Sequence, residues 1–131
     1  MSGEKNLQQL IKTMKPVLNE GEFVFCSLKD VGALDLKQVI CFFKEAEAYT
    51  VVVSKTLADE WKLSYQYIAA WITLTVHSSL EGVGFTAAFS NALAKQGISC
   101  NVIAAYYHDH IFVDSKDAVR AMEVLTVLSN S

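Results

Sequence analysis

WITLTVHSSLEGVGFTAAFSNALAKQG (Trp71–Gly97) is the stretch that decides the fold. Its first seven residues alternate: Ile72, Leu74 and Val76 are apolar, while Thr73, Thr75 and His77 between them are polar. That two-residue period predicts a half-buried strand over Trp71–His77. Its second half has a different period. Phe85, Ala88, Phe89, Ala92 and Leu93 form one stripe of a helix, and Gly97 stands where a left-handed C-terminal cap belongs. Between strand and helix lies His77-Ser78-Ser79-Leu80-Glu81-Gly82-Val83-Gly84. A strand that feeds a helix through such a turn leaves unpaired N–H groups at a positive helix end, where a carboxylate can dock. Glycines at Gly82 and Gly84 let a ligand or another backbone come close, and equally they permit a tight, closely packed turn.

Downstream, Asn101–Tyr107 reads as a strand, Asp109-His110 as a tight turn and Ile111–Val113 as the returning strand. Asp114 or Ser115 then caps a helix with Ala118, Ala121, Met122, Leu125 and Leu128 on its apolar side. Upstream, Leu7, Leu10, Ile11 and Met14 mark a short amphipathic helix that Pro16 stops, and Glu22–Leu28 is strand-like. Val39–Phe43 and Tyr49–Val53 predict a hairpin, although Leu36–Ala48 also suits a helix; Lys55–Trp61 follows as a short helix. Residues 39–61 and 101–128 thus share a hairpin-then-helix plan, each preceded by a strand. The first copy lacks the helix between that strand and its hairpin, so the chain reads as a degenerate internal repeat.

Ile72–Leu125 resembles the ACT domain, through Glu81-Gly82-Val83-Gly84, Ala92–Ile98 and Asn101-Val102-Ile103. With Gly21–Phe25, HSSLEGVG and YYHDHIFV, about residues 10 to 128 are similar to a small stand-alone bacterial family of two ACT-like modules that has no firmly established activity. The resemblance implies an α+β, ferredoxin-like (βαββαβ-type) fold, with antiparallel sheets and helices on one face. The expected division is residues 1–66, an N-terminal helix plus a degenerate module, and residues 67–131, a more complete module, the two packed as one unit.

ACT modules typically bind an amino acid at a module interface, against this loop and the start of the following strand. The resemblance therefore implies a regulatory binder of a free amino acid or similar small zwitterion. Its contacts would be Ser79, Glu81, Gly82, Val83, Gly84 and the strand start Asn101, Val102 and Ile103, with His77, Tyr107 or His108 selecting the side chain. Gly84 matches the family glycine best, and Glu81 stands where many ACT domains carry Asp. The alternative is an oligomerisation or adaptor module that has lost its ligand and acts through protein contacts. Exposed sheet edges favour a homodimer or higher assembly in either case.

Composition narrows the choice. Eleven Lys and Arg against fourteen Asp and Glu give a net charge of −3 without a basic block, which argues against nucleic acid. With 52% hydrophobic residues the chain is not disordered, and at 131 residues it can build a core without disulfides or metal. Cys26, Cys41 and Cys100 lie in apolar runs, as buried thiols in a reducing compartment do. The longest uncharged run, Leu63–Leu80, holds Gln66, Thr73, Thr75, His77 and two serines at its end, too polar for a membrane span. A soluble, cytoplasmic, non-enzymatic protein without a cofactor is expected. His108-Asp109-His110, with His77 nearby, has ligand types that suit zinc or iron but no recognised metal spacing, so no metal is assigned. His77 and Ser78 are neighbours on a strand and face opposite ways, a poor start for a nucleophile–base pair.

Overall fold

The structure, a computed structural model, describes residues 3–131. The chain divides into two compact units: Gly21–Ala69, and the residues up to Glu20 together with Ala70–Ser131.

In the Gly21–Ala69 unit, strand β2 (Phe23–Leu28) runs antiparallel to β4 (Tyr49–Ser54), which also pairs with β3 (Cys41–Lys44). On its other side Phe23 and Val24 pair with Ala69 and Ile68, at the start of β5 (Ile68–Leu74). The period of two places Val24 and Cys26 opposite Val53 and Val51, and these four, with Ala58, are buried together. Helix α2 (Lys55–Glu60) begins where the Ser54 hydroxyl accepts the Leu57 N–H. The helical option for Leu36–Ala48 is not taken. Cys41-Phe42-Phe43 ladders with Val52-Val51-Thr50, and only a 3-10 turn forms at Leu36–Gln38. No α-helix joins β2 to β3 among the described residues.

In the other unit, β5 lies between β1 (Pro16–Leu18) and β7 (Asp109–Asp114), and β7 pairs with β6 (Asn101–Ala104). The order β1-β5-β7-β6 is that of a ferredoxin-like βαββαβ sheet whose last strand comes from the N-terminal segment. Helices α1 (Leu7–Thr13), α3 (Phe85–Lys95) and α4 (Ala118–Ser129) cover one face. Leu10, Met14, Ile72, Phe89, Ile111 and Leu125 close the core beneath them. By packing, α1 and β1 belong with Ala70–Ser131. Pro16 ends a helix, as read, and also opens an edge strand, a place that tolerates the missing N–H.

Two local readings are corrected. The strand expected to reach His77 ends at Leu74, because Thr75 N–H turns to the Lys15 carbonyl and Val76 and Ser78 bond back two residues. The hairpin turn lies at Ala105–His108, closed by Ala105 N–H to His108 O at 3.1 Å, not at Asp109-His110. Tyr106 and Tyr107 are therefore both exposed turn residues, while Asp109 and His110 enter the ladder opposite Ala104 and Ile103. Core-facing Ile111 and Val113 set the register.

Candidate functional site

Helix α3 starts at Gly84, whose φ of 94° is left-handed, and no side chain caps it. The N–H groups of Phe85 and Thr86 in its first turn are therefore free to meet a ligand. At its far end Gly97, at φ 72°, donates to Ala94 O while Ile98 donates to Leu93 O, so the expected cap forms.

A cavity of about 160 Å³ opens at the start of α3. Ser78, Ser79, Gly82, Gly84 and Thr86 form its polar side; Leu10, Phe85 and Ala104 form its apolar side, and Asp109 closes it. The period of two on β7 explains Asp109: with Ile111 and Val113 facing the helices, it faces them too. It is only 6% exposed, and the Ser78 hydroxyl donates to its Oδ2 at 3.3 Å. Burial pushes the Asp109 carboxyl above its ordinary value, against the Ser78 hydrogen bond and the nearby His110 and His108. Two larger and more open hollows flank α4, one against α3 with Lys95, Gln96 and Glu123 in its lining, the other beside Leu18 and Thr126.

The chain's own N-terminal segment braces the loop. Glu4 N–H donates to His77 O and Glu4 O accepts from Ser79 N–H; Lys5 Nζ lies 3.0 Å from Glu81 Oε2. A side chain on Gly84 would meet Leu7 at 3.2 Å.

The sequence-read residues are thus sorted. Ser79, Gly82 and Gly84 line the cavity. Val83 is exposed, and Glu81 is exposed and paired with Lys5. His77 and Glu81 border a second small hollow with Tyr106, and the His77 ring packs on Tyr106 and Tyr107. His108 Nδ1 is 3.3 Å from Val76 O. Asn101 and Ile103 pair with Phe112 and His110, on the sheet face away from the helices, and Asn101 Nδ2 donates to Phe112 O; Val102 alone of the three packs toward the helical core. Asp109 and Thr86 were not singled out as ligand contacts. Counting back by twos from Val113 is the signal that finds Asp109.

On the far sheet face, His110 Nδ1 accepts from Trp71 Nε1–H at 3.0 Å. Burial, then His108, holds the imidazole below its ordinary pKa. No cluster of metal-ligating side chains occurs among the described residues. All three cysteines are free, and burial pushes the Cys100 thiol up to about 11, which disfavours its thiolate at neutral pH. No helix among the described residues is long and apolar enough to cross a membrane.

Sequence models of the ACT domain match residues 2–70 and, separately, residues 66–127. The chain belongs to the ACT domain family. An ACT-containing chain of this plan is similar at 42% identity to a Vibrio cholerae protein of unknown function, described as a possible transport protein. That match covers 95% of this chain and 97% of the other, with a TM-score of 0.84. The same ACT fold is found in the ligand-free regulatory subunit of aspartate kinase from Thermus thermophilus, at 11% identity, covering 90% and 97% of the two chains with a TM-score of 0.64. An Agrobacterium tumefaciens protein at 15% identity covers 88% and 89%, with a TM-score of 0.63. These last two likenesses are of fold alone. No curated protein matches the sequence.

Proposed function

We propose that this is a non-enzymatic regulatory protein that binds a free amino acid or similar small zwitterion in the cavity at the start of α3, acting in the cytoplasm as a homodimer or larger assembly. The observation that carries the reading is the partly open cavity, polar on one side, built on Gly82 and Gly84, against a helix start that no side chain caps. A ligand carboxylate there accepts from the Phe85 and Thr86 N–H groups and faces the positive end of an eleven-residue helix. Membership of a family whose modules typically bind amino acids supports the same reading. So does the fold shared with an aspartate kinase regulatory subunit. Binding regulates only by favouring one of two states, of assembly or of partner attachment, through different affinity for each.

The testing experiment is a thermal-shift screen against the twenty amino acids. A ligand at a hundred times its dissociation constant adds about 2.7 kcal/mol, and for a chain of this size the midpoint rises by roughly 5–12 °C. One or a few amino acids giving such a rise is the expected result. No rise with any of them at millimolar concentration overturns the reading and leaves the adaptor alternative, in which the module acts through protein contacts.

A further inference from the structure

Two acids in the unit built around α3 are buried, Asp109 and Asp117, and they are treated differently. Asp117 has its cation: Arg120 Nη1 lies 2.8 Å from its Oδ1. Asp109 has none. The ion pairs among the described residues are Lys5–Glu81, Lys55–Asp59 and Arg120–Asp117. The imidazoles on either side in sequence do not serve. His110 lies on the opposite sheet face with its Nδ1 committed to Trp71, and His108 Nδ1 is turned to the Val76 carbonyl. A carboxylate accepts about four hydrogen bonds. Asp109 receives a single long one, from Ser78, among the described residues.

A buried carboxylate so under-supplied is costly unless it takes up a proton or a cation. Here it borders a cavity with room for one. The cavity's roughly 160 Å³ corresponds to about five water molecules and falls below the roughly 300 Å³ at which drug-sized ligand sites begin.

We infer that Asp109 is the residue that sets ligand specificity, accepting the ammonium group of a small zwitterion whose carboxylate lies at the N–H groups of Phe85 and Thr86. This rests on the proposed binding function and narrows it to glycine, alanine or serine in size, with the ammonium group obligatory. Glu81, the acid suggested by its place in the loop, does not take this role, because it is exposed and held by Lys5. Ser78 acts as a positioning residue: its hydroxyl fixes one carboxylate oxygen and leaves the other to the ligand.

The test compares glycine, L-alanine and L-serine with propionate and lactate, which match alanine in size and lack the ammonium group, on the full chain and on Asp109→Asn. Titration calorimetry is expected to give binding of at least one of the three amino acids, with propionate and lactate about thirtyfold weaker or worse, as befits loss of one partner of a buried charge pair. Asp109→Asn is expected to lose the amino acid by a similar factor while its own melting temperature holds or rises, since an unpaired buried charge has been removed. A merely structural aspartate gives the reverse, a lower melting temperature with affinity intact.

A second measurement needs no variant. Amino-acid binding at a pH within the titration range of Asp109 expels a proton, read from calorimetry in buffers of different ionisation heat. Equal affinity of alanine and propionate, or undiminished affinity of Asp109→Asn, overturns the assignment and leaves the binding function standing. Failure of every amino acid to bind overturns both.

Discussion

Ser54 and Asp114 hold equivalent places in the two units. Each ends the second strand of a hairpin, and each caps the turn that follows with its side chain, at Leu57 N–H and Lys116 N–H. What precedes the hairpins differs. Between β2 and β3, the Asp30 side chain ties Gly32 and a 3-10 turn follows; between β5 and β6 the chain forms α3. The buried residues differ accordingly. In the Gly21–Ala69 unit they are apolar, including Val24, Cys26, Val51 and Val53, whereas buried Thr73, Ser78, Asp109 and Asp117 all fall in the unit that contains α3. Buried polar groups cost stability, so the unit that buries these four polar and charged residues is the unit to suspect of function.

Substitutions can break or sharpen this contrast. The largest effect is expected for Phe89→Ala. Phe89 is fully buried on the core face of α3, and its loss costs about 3–5 kcal/mol in urea denaturation. Val51→Ala, at an equally buried site in the Gly21–Ala69 unit, removes fewer atoms and costs about 2 kcal/mol, with no change in the thermal shift given by amino acids.

Next comes Gly84→Ala. A left-handed φ imposes about 1–2 kcal/mol on any L side chain, and the new methyl also presses on Leu7, so both stability and amino-acid response fall. Gly97→Ala carries the same backbone strain but meets nothing within 4 Å, and its amino-acid response is expected to survive. A lost response there, or a kept one in Gly84→Ala, contradicts the placement of the site. Lys5→Ala is the smallest. Its ion pair with Glu81 is exposed on both sides, so the loss is about 0.5 kcal/mol or less and vanishes in high salt.

The pH dependence carries a sign. The Asp109 carboxyl is raised above its ordinary value of 3.8, so the native state holds that proton more tightly than the unfolded chain. Its stabilising contribution is full below that value and is lost as pH climbs through the raised native value. Wild type minus Asp109→Asn, followed by thermal melting across this window, therefore slopes downward with rising pH. Amino-acid affinity slopes the other way, because only the ionised carboxylate accepts an ammonium group.

Much of this was legible from residues alone. Alternation at Ile72 and Leu74, the Phe85-Phe89-Leu93 stripe and Gly97 specify local structure strongly, and each sits where its period places it. Gly84 was legible through its match to the family glycine, and its left-handed φ is the physical reason a glycine stands there. Two things were hidden. Pro16 read as a stop, and nothing local announces that three residues, Pro16–Leu18, find their ladder partners at Ile72–Leu74. His108-Asp109-His110 read as turn chemistry, since polar clusters usually mark turns. The core demand of Ile111 and Val113 overrode that and drew Asp109 inside.

The most direct measurement is a titration of the isotopically labelled protein with glycine, L-alanine and L-serine, following backbone amide resonances. Shifts centred on Gly82, Gly84, Phe85 and Thr86, with Gly21–Ala69 silent, are the result predicted. Silence throughout at millimolar ligand, or shifts centred in Gly21–Ala69, would contradict the account.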